Sequence, residues 1–224
     1  MQVKISIIIP VFNEANTLEE TLSKVQNASS VEVIVVDGGS QDETVALAHS
    51  LGVKVILADA GRACQMNAGA LAATGEILLF LHADTHLPAN FDPLIRQALQ
   101  DPRTVAGAFE LSINANLRGL RIIEKLVNWR SRFFSLPYGD QAIFIWKNRF
   151  QDLGGFPNLP IMEDFEFMRR LKQHGKIAII PVPVVTSGRR WQKLGVLKTT
   201  FINQLIILGY FLGVPPSQLV QWYK

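Results

Sequence analysis

Leu79-Phe80-Leu81-His82-Ala83-Asp84-Thr85 is an apolar strand pattern that stops abruptly and delivers a lone carboxylate, with polar neighbours, at its carboxyl end. Two earlier segments do the same. The run 5–11 ends in Asn13-Glu14, and the run 31–36 ends in Asp37-Gly38-Gly39-Ser40. In open α/β sheets the ligand crevice lies outside the carboxyl ends of the strands. Three strands that each place an acid there describe a polar ligand site, with a metal as its expected companion. Parallel strands buried on both faces account for the Ile/Val/Leu runs, but not for an acid after every one of them.

Outward from that stretch, strand and helix patterns alternate through the first 100 residues. Strands are expected at 4–11, 31–36, 53–57 and 76–81, and helices at 15–27, 42–50, 63–73 and 90–100. This alternation predicts βαβ units and a Rossmann-like, mostly parallel sheet flanked by helices. Beyond Asp101-Pro102 the rhythm changes. A strand is expected at 105–113, a basic amphipathic helix at 117–134 and another strand at 141–146. A Gly/Pro-rich link, Gly154-Gly155-Phe156-Pro157, precedes a helix at 163–174 and a strand at 176–180.

Composition sets the bounds. The 224 residues are 48% hydrophobic, enough for a sizeable core. A net charge of +3 gives no reason to expect nucleic acid as a partner. The basic residues cluster all the same: Arg118, Arg121, Lys125, Arg130 and Arg132 in one segment, Arg189, Arg190, Lys193 and Lys198 in another. The single cysteine, Cys64, allows no internal disulfide and fits a reducing compartment. The first apolar run has no small-residue cleavage site after it and reads as a core strand, not a leader. The segment 201–214 is mostly apolar but carries Asn203 and Gln204, and it is shorter than the roughly 20 residues of a membrane span. It is expected to be a buried or interfacial helix. No Gly-x-Gly-x-x-Gly follows the first strand, and no P-loop, zinc spacing or nucleophile elbow occurs.

What is present resembles the inverting family-2 glycosyltransferases of the GT-A fold. The resemblance is carried by Ser6 to Glu14, by Val33 to Thr44, by His82-Ala83-Asp84 where an Asp-x-Asp metal motif belongs, and by Glu163-Asp164 where the catalytic base belongs. Gly139-Asp140-Gln141 and Arg189-Arg190-Trp191 are similar to signatures of a compact bacterial subgroup. The resemblance implies one GT-A domain over 1–224. A nucleotide-sugar-binding half would occupy about 1–100, an acceptor-binding half about 101–200, and C-terminal helices about 201–224.

The site roles follow from that resemblance. Asp37 would accept a hydrogen bond from a pyrimidine imide, the alternative being that it caps the helix starting near Asp42. Asn13 and Glu14 would line the nucleoside, or Glu14 would cap the helix after it. Arg62 would pair with a diphosphate or stand as a plain surface arginine. Pro10, Ser40, Asn67 and Ala83 lie in the same motifs and are expected along the same pocket. Asp84 is the metal ligand, for Mg²⁺ or Mn²⁺, which prefer carboxylate and phosphate oxygens. His82 departs from the family pattern and would bond a ribose or phosphate instead. Asp164 would be the general base, with Glu163 beside it orienting the acceptor or capping the helix. Asp140 and Gln141 would line the sugar or acceptor pocket, and Arg190 with Trp191 would clamp diphosphate and stack on a sugar, or form a cation–π pair at the surface.

The expected reaction moves a sugar from a nucleoside diphosphate donor, UDP-linked by preference, to an acceptor hydroxyl. A nucleotidyltransferase and a silent sugar-nucleotide-binding module are the rivals. The expected setting is cytoplasmic. The basic clusters and the apolar 201–214 segment add an expected peripheral contact with the inner face of a membrane, or a homodimer contact through the same segment.

Overall fold

The computed structural model describes residues 2–25 and 28–223. Its centre is one sheet of eight strands in the order β3-β2-β1-β4-β7-β6-β8-β5. Strand β1 (Ile5–Val11) lies between two parallel partners, β2 (Val31–Asp37) and β4 (Ile77–Phe80). Strand β3 (Lys54–Leu57) extends the parallel half. On the other side β7 (Phe144–Trp146) runs antiparallel to both β4 and β6 (Thr104–Asn114). Strand β8 (Lys176–Ser187) then runs parallel to β6 and antiparallel to the short β5 (Thr85–His86). The helices are α1 (Ala15–Ser23), α2 (Thr44–Ser50), α3 (Arg62–Ala72), α4 (Phe91–Ala98) and α5 (Leu120–Phe134). They continue with α6 (Lys147–Asp152), α7 (Glu163–Leu171), α8 (Arg189–Leu194), α9 (Val196–Phe211) and α10 (Pro216–Tyr223).

Side chains of successive strand residues point to opposite faces, and β1 shows both being used. Ile5, Ile7 and Ile9 join a core with Leu18 and Leu22 of α1 and Phe91 and Ile95 of α4. Ile8 joins a second core with Met66 and Ala70 of α3 and with Phe150, Phe156 and Phe167. Burial on both faces is why the strand reads as a continuous apolar run. Its one polar member, Ser6, is fully buried and satisfied by Glu32 and by the amide of Gly75 at 2.8 Å.

Several boundaries differ from the sequence expectation. The strand expected to stop at 180 continues to Ser187, because the register skips from Ile180 opposite Phe109 to Pro183 opposite Glu110. That bulge takes up Pro181 and Val182, and pairing resumes at Pro183. The strand expected from 141 begins at Phe144, since Gly139–Gln141 form a 3-10 turn. The apolar helix expected at 201–214 spans Val196–Phe211. Helix α1 stops at Ser23, and the last two residues of its expected span, 26 and 27, lie outside the described residues.

Helix α3 packs closely on the sheet at Gly69, where a Cβ would lie 2.4 Å from Cγ2 of Ile8 and 3.0 Å from Cγ2 of Val36. Gly69→Ala gains about 1 kcal/mol of helix propensity but overpacks a stiff, buried isoleucine, at a cost of about 1–3 kcal/mol. Net destabilisation is expected, read as a lower urea midpoint at unchanged slope. A midpoint equal to or above the wild type would show that the helix can retreat from β1.

Candidate active site

The ends of β1 and β2 are tied together before any ligand arrives. Gln65 of α3, nearly buried, donates from Nε2 to the carbonyls of Val11 and Val36, both at 2.8 Å. Asp37 accepts from the amides of Gly39 at 2.8 Å and Ser40 at 3.0 Å, so its carboxylate shapes its own loop. Asn13, in the left-handed region at φ 54°, donates its amide to Ser40 Oγ at 2.9 Å and accepts from Gln41 through Oδ1 at 2.8 Å. Neither Asp37 nor Glu14 makes a side-chain helix cap. Asp42 takes that work, accepting from the amides of Thr44 at 3.0 Å and Ala15 at 3.2 Å.

A cavity of about 680 Å³ opens outside these strand ends, within the roughly 300–1,000 Å³ of small-molecule sites. Pro10, Glu14, Arg62, His82, Ala83, Asp84, Asp140, Glu163, Asp164, Arg190 and Trp191 all line it. Five other expected site residues do not. Asn13, Asp37 and Ser40 form the loop behind the wall. Asn67 accepts from the amide of Phe156 at 3.0 Å and donates to its carbonyl at 2.9 Å, fixing the Gly/Pro-rich link. Gln141 is fully buried, accepts from Ser131 Oγ at 2.8 Å and donates to the Phe109 carbonyl at 2.8 Å. These two hold the framework beside the cavity and do not line it.

The acid pair enters the cavity from the start of α7, after Met162 turns through φ 68°. Asp164 Oδ2 accepts from the amide of Gly139 at 2.6 Å. A Cβ on Gly139 would lie 3.0 Å from Nε2 of His82 and 3.1 Å from Oδ2 of Asp164, so only glycine leaves these two groups undisturbed. Glu163 is buried and pairs with Arg62 Nη1 at 3.3 Å. Burial and the neighbouring Asp164 push its carboxyl up to about 7, against the pull of Arg62. Burial pushes Asp140 up to about 6; Arg130 opposes the shift and Asp164 adds to it. His82 moves the other way, down to about 3, through burial and the positive charge of Arg62, so it is neutral at physiological pH.

Arg189 Nη2 sits between two of the acids that line the cavity, 3.0 Å from Oδ2 of Asp84 and 3.0 Å from Oε2 of Glu14. Arg190, by contrast, donates to the carbonyl of Tyr223 at 2.7 Å and lies over that ring at 3.6 Å. The sequence offered two adjacent arginines with nothing to separate them, and the one facing the acids is Arg189. Gln65 carried a usable signal, since it follows Arg62 by three positions and so shares its helix face.

The Glycosyl transferase family 2 profile matches residues 6–158. The chain belongs to that family. A PGL/p-HBAD biosynthesis glycosyltransferase of Mycobacterium bovis is 30% identical over 216 residues, covering 89% of this chain and 80% of the relative. Among solved structures, a mannosyltransferase from Pyrobaculum calidifontis in complex with GDP-Man and Mn²⁺ superposes with a TM-score of 0.63 at 22% identity, over 84% of this chain. S. aureus TarS 1-349 in complex with UDP gives 0.65 at 18% identity, over 82% of this chain. This chain spans only 57% and 60% of those two chains, and the likeness establishes the GT-A fold. The protein is thus a glycosyltransferase, and nucleotidyl transfer and a silent module fall away as rivals.

The raised Glu163 carboxyl makes the stability of this family-2 enzyme depend on pH. A carboxyl whose folded value lies above its unfolded value stabilises the fold while protonated. Its contribution is therefore complete below pH 4.5 and is lost as pH rises through about 7. Glu163→Gln, which stays neutral, should flatten the fall in melting temperature across that window. Parallel wild-type and variant curves would remove the assignment.

Proposed function

We propose that the chain transfers a sugar from a nucleoside diphosphate sugar, with UDP preferred, to an acceptor hydroxyl with inversion, and that Asp164 is the base. The observation that carries this reading is the placement of Asp164, oriented by the Gly139 amide, on a cavity that begins at three acid-bearing strand ends. The acceptor oxygen attacks the anomeric carbon from the face opposite the diphosphate. A new C–O bond forms as the bond to the diphosphate breaks, the leaving oxygen takes that electron pair, and the acceptor proton passes to Asp164. Neutral His82 can donate or accept a hydrogen bond beside this path without adding charge. Glu163 holds Arg62 at the cavity, where its guanidinium can pair with diphosphate.

The residues also fit a hard divalent ion, Mg²⁺ or Mn²⁺. Such ions are commonly held by one or two carboxylates and completed by substrate phosphates, and Asp84 and Glu14 already share one cationic partner. No group of three or more His, Cys, Asp or Glu among the described residues forms a preassembled cage. Asp84, aided by Glu14, would hold the ion; when bound, it supplies Lewis-acid stabilisation of the leaving diphosphate. Arg189 would release those carboxylates and turn to the phosphates.

Asp164→Asn keeps shape and removes proton acceptance. Because general-base catalysis contributes roughly 10²–10⁴-fold, kcat should fall by about that factor, with UDP-sugar affinity within about threefold of wild type, under 1 kcal/mol. Glu163→Gln should do less harm. Full activity in both variants would sink the assignment of this site.

A peripheral membrane contact belongs to the same reading. No helix among the described residues is long and apolar enough to cross a membrane. Helix α5 nevertheless exposes Ile122, Leu126, Trp129 and Phe133, and α9 exposes Leu197, Phe201, Leu205 and Leu208, with Leu212 just past its end. Each set follows the helical spacing of one stripe, and the two helices approach each other at Gly119 and Val196. Exposed Arg118, Lys125, Lys193 and Lys198 flank the stripes, and residues 188–224 contain no acid at all. Apolar stripes rimmed by unopposed cations suit an anionic leaflet, where each cation contributes about 1 kcal/mol near the surface. Co-flotation with phosphatidylserine vesicles at low salt, weakened by salt and by Phe133→Ser with Phe201→Ser, is the expected result. A concentration-dependent homodimer without vesicle binding would give the face to a second copy.

A further inference from the structure

Helix α9 is apolar on both sides, and its inner side faces the active-site cavity. Beyond the Glu163–Asp164 pair the cavity continues into an arm beside α9 and α10, walled by Ile161, Met162, Ile206, Ile207, Val220 and Tyr223. Few polar side chains enter that arm. Thr199 is fully buried and its Oγ1 has no hydrogen-bond partner among the described residues; Asn203, Tyr223 and Arg190 are the others. The outer wall is fixed in place, since Arg190 Nη2 donates to the carbonyl of Tyr223 at 2.7 Å and stacks on its ring.

We propose that this arm holds the body of the acceptor, and that the acceptor is an amphiphilic alcohol: one reacting hydroxyl presented to Asp164 on a mainly hydrocarbon or aromatic body. The inference rests on the reading of Asp164 as the base and goes beyond it by naming the acceptor class. A free sugar would bring a hydroxyl on nearly every carbon, more than the few polar groups of this arm can answer, and the rest would lose their water unpaid. An apolar body loses nothing there and gains by leaving water. One further polar atom near the reacting hydroxyl would satisfy Thr199, whose orphaned oxygen is otherwise an unexplained cost in a buried wall. The route in is consistent with this chemistry, because the same helix carries the exposed apolar stripe on its other side.

The test is calorimetric titration of the full chain, loaded with UDP, with 1-alkanols from butanol to octanol and with glucose as the polar control. Affinity should rise roughly fourfold for each added methylene, the equivalent of about 0.8 kcal/mol, while glucose shows no saturable binding. Ile207→Asn should flatten the series and leave UDP affinity unchanged. Val220→Thr, a milder change on α10, serves if Ile207→Asn does not fold, and should reduce the slope. Phe201→Ser, on the exposed stripe, should leave the series intact and so excludes binding at the outer surface. A flat alkanol series, or one unaffected by the cavity variants, overturns the proposal while intact UDP binding preserves the donor reading. Failure of UDP itself to bind would strike the donor reading instead; an alkanol slope that persisted without UDP, and vanished in the cavity variants, would still support the arm.

Discussion

Burial of β1 on both faces leaves the chain nowhere in the centre of the sheet to keep an unpaired polar group. Ile5, Ile7, Ile9 and Ile8 are all fully buried, divided between the two cores. Ser6 survives only because Glu32 and Gly75 satisfy it. The acids must therefore wait until the strands end, and three parallel neighbours end on the same side. Gln65 makes that shared edge rigid by holding the β1 and β2 carbonyls from one amide. Position and preorganisation of the cavity are thus consequences of how the sheet is buried.

The parallel half of the fold was legible because its pattern is local. Apolar runs, turn residues and acids recur with a period that belongs to βαβ units, and the structure follows them closely from β1 to α4. The second half depends on non-local pairing. Pro181 and Pro183 look like the end of a strand until β6 supplies a bulged register for them. Two-residue β5 exists only because β8 passes beside it. Polar residues in a motif were readable as important, but not as to which way they faced. Asn67 and Gln141 lock backbone, and Arg189, not its neighbour, meets the acids. The apolar arm was invisible because 201–214 is apolar on all sides, so no periodicity marks its inner face.

Charge in the cavity is arranged as exchangeable pairs. Arg62 is held by Glu163, and Arg189 by Asp84 and Glu14. Burial first, and the neighbouring Asp164 second, raise the proton affinity of Asp140 and of Glu163 even though Arg130 and Arg62 oppose the shifts. In the proposed reaction a nucleoside diphosphate would bring further negative charge into this setting. Its binding would be a change of partners, in which the arginines turn to phosphate and the acids need a new cation or a proton.

His82 decides how demanding that exchange is. A carboxylate at its place would add a charge next to Asp164 and draw Arg62 away from Glu163. Imidazole held down to about 3 adds none. The resting site then has one charge fewer to balance than an Asp-x-Asp arrangement, and Arg189 alone can bridge the two acids left at the strand ends. Gly139 completes the arrangement by bringing a backbone amide to Asp164 where any side chain would press on His82. The neutral histidine and the bare glycine are therefore parts of one solution: they let the Gly139 amide hold Asp164 Oδ2 while the Phe165 amide holds Oδ1, in a cleft where Glu163 is paired with Arg62.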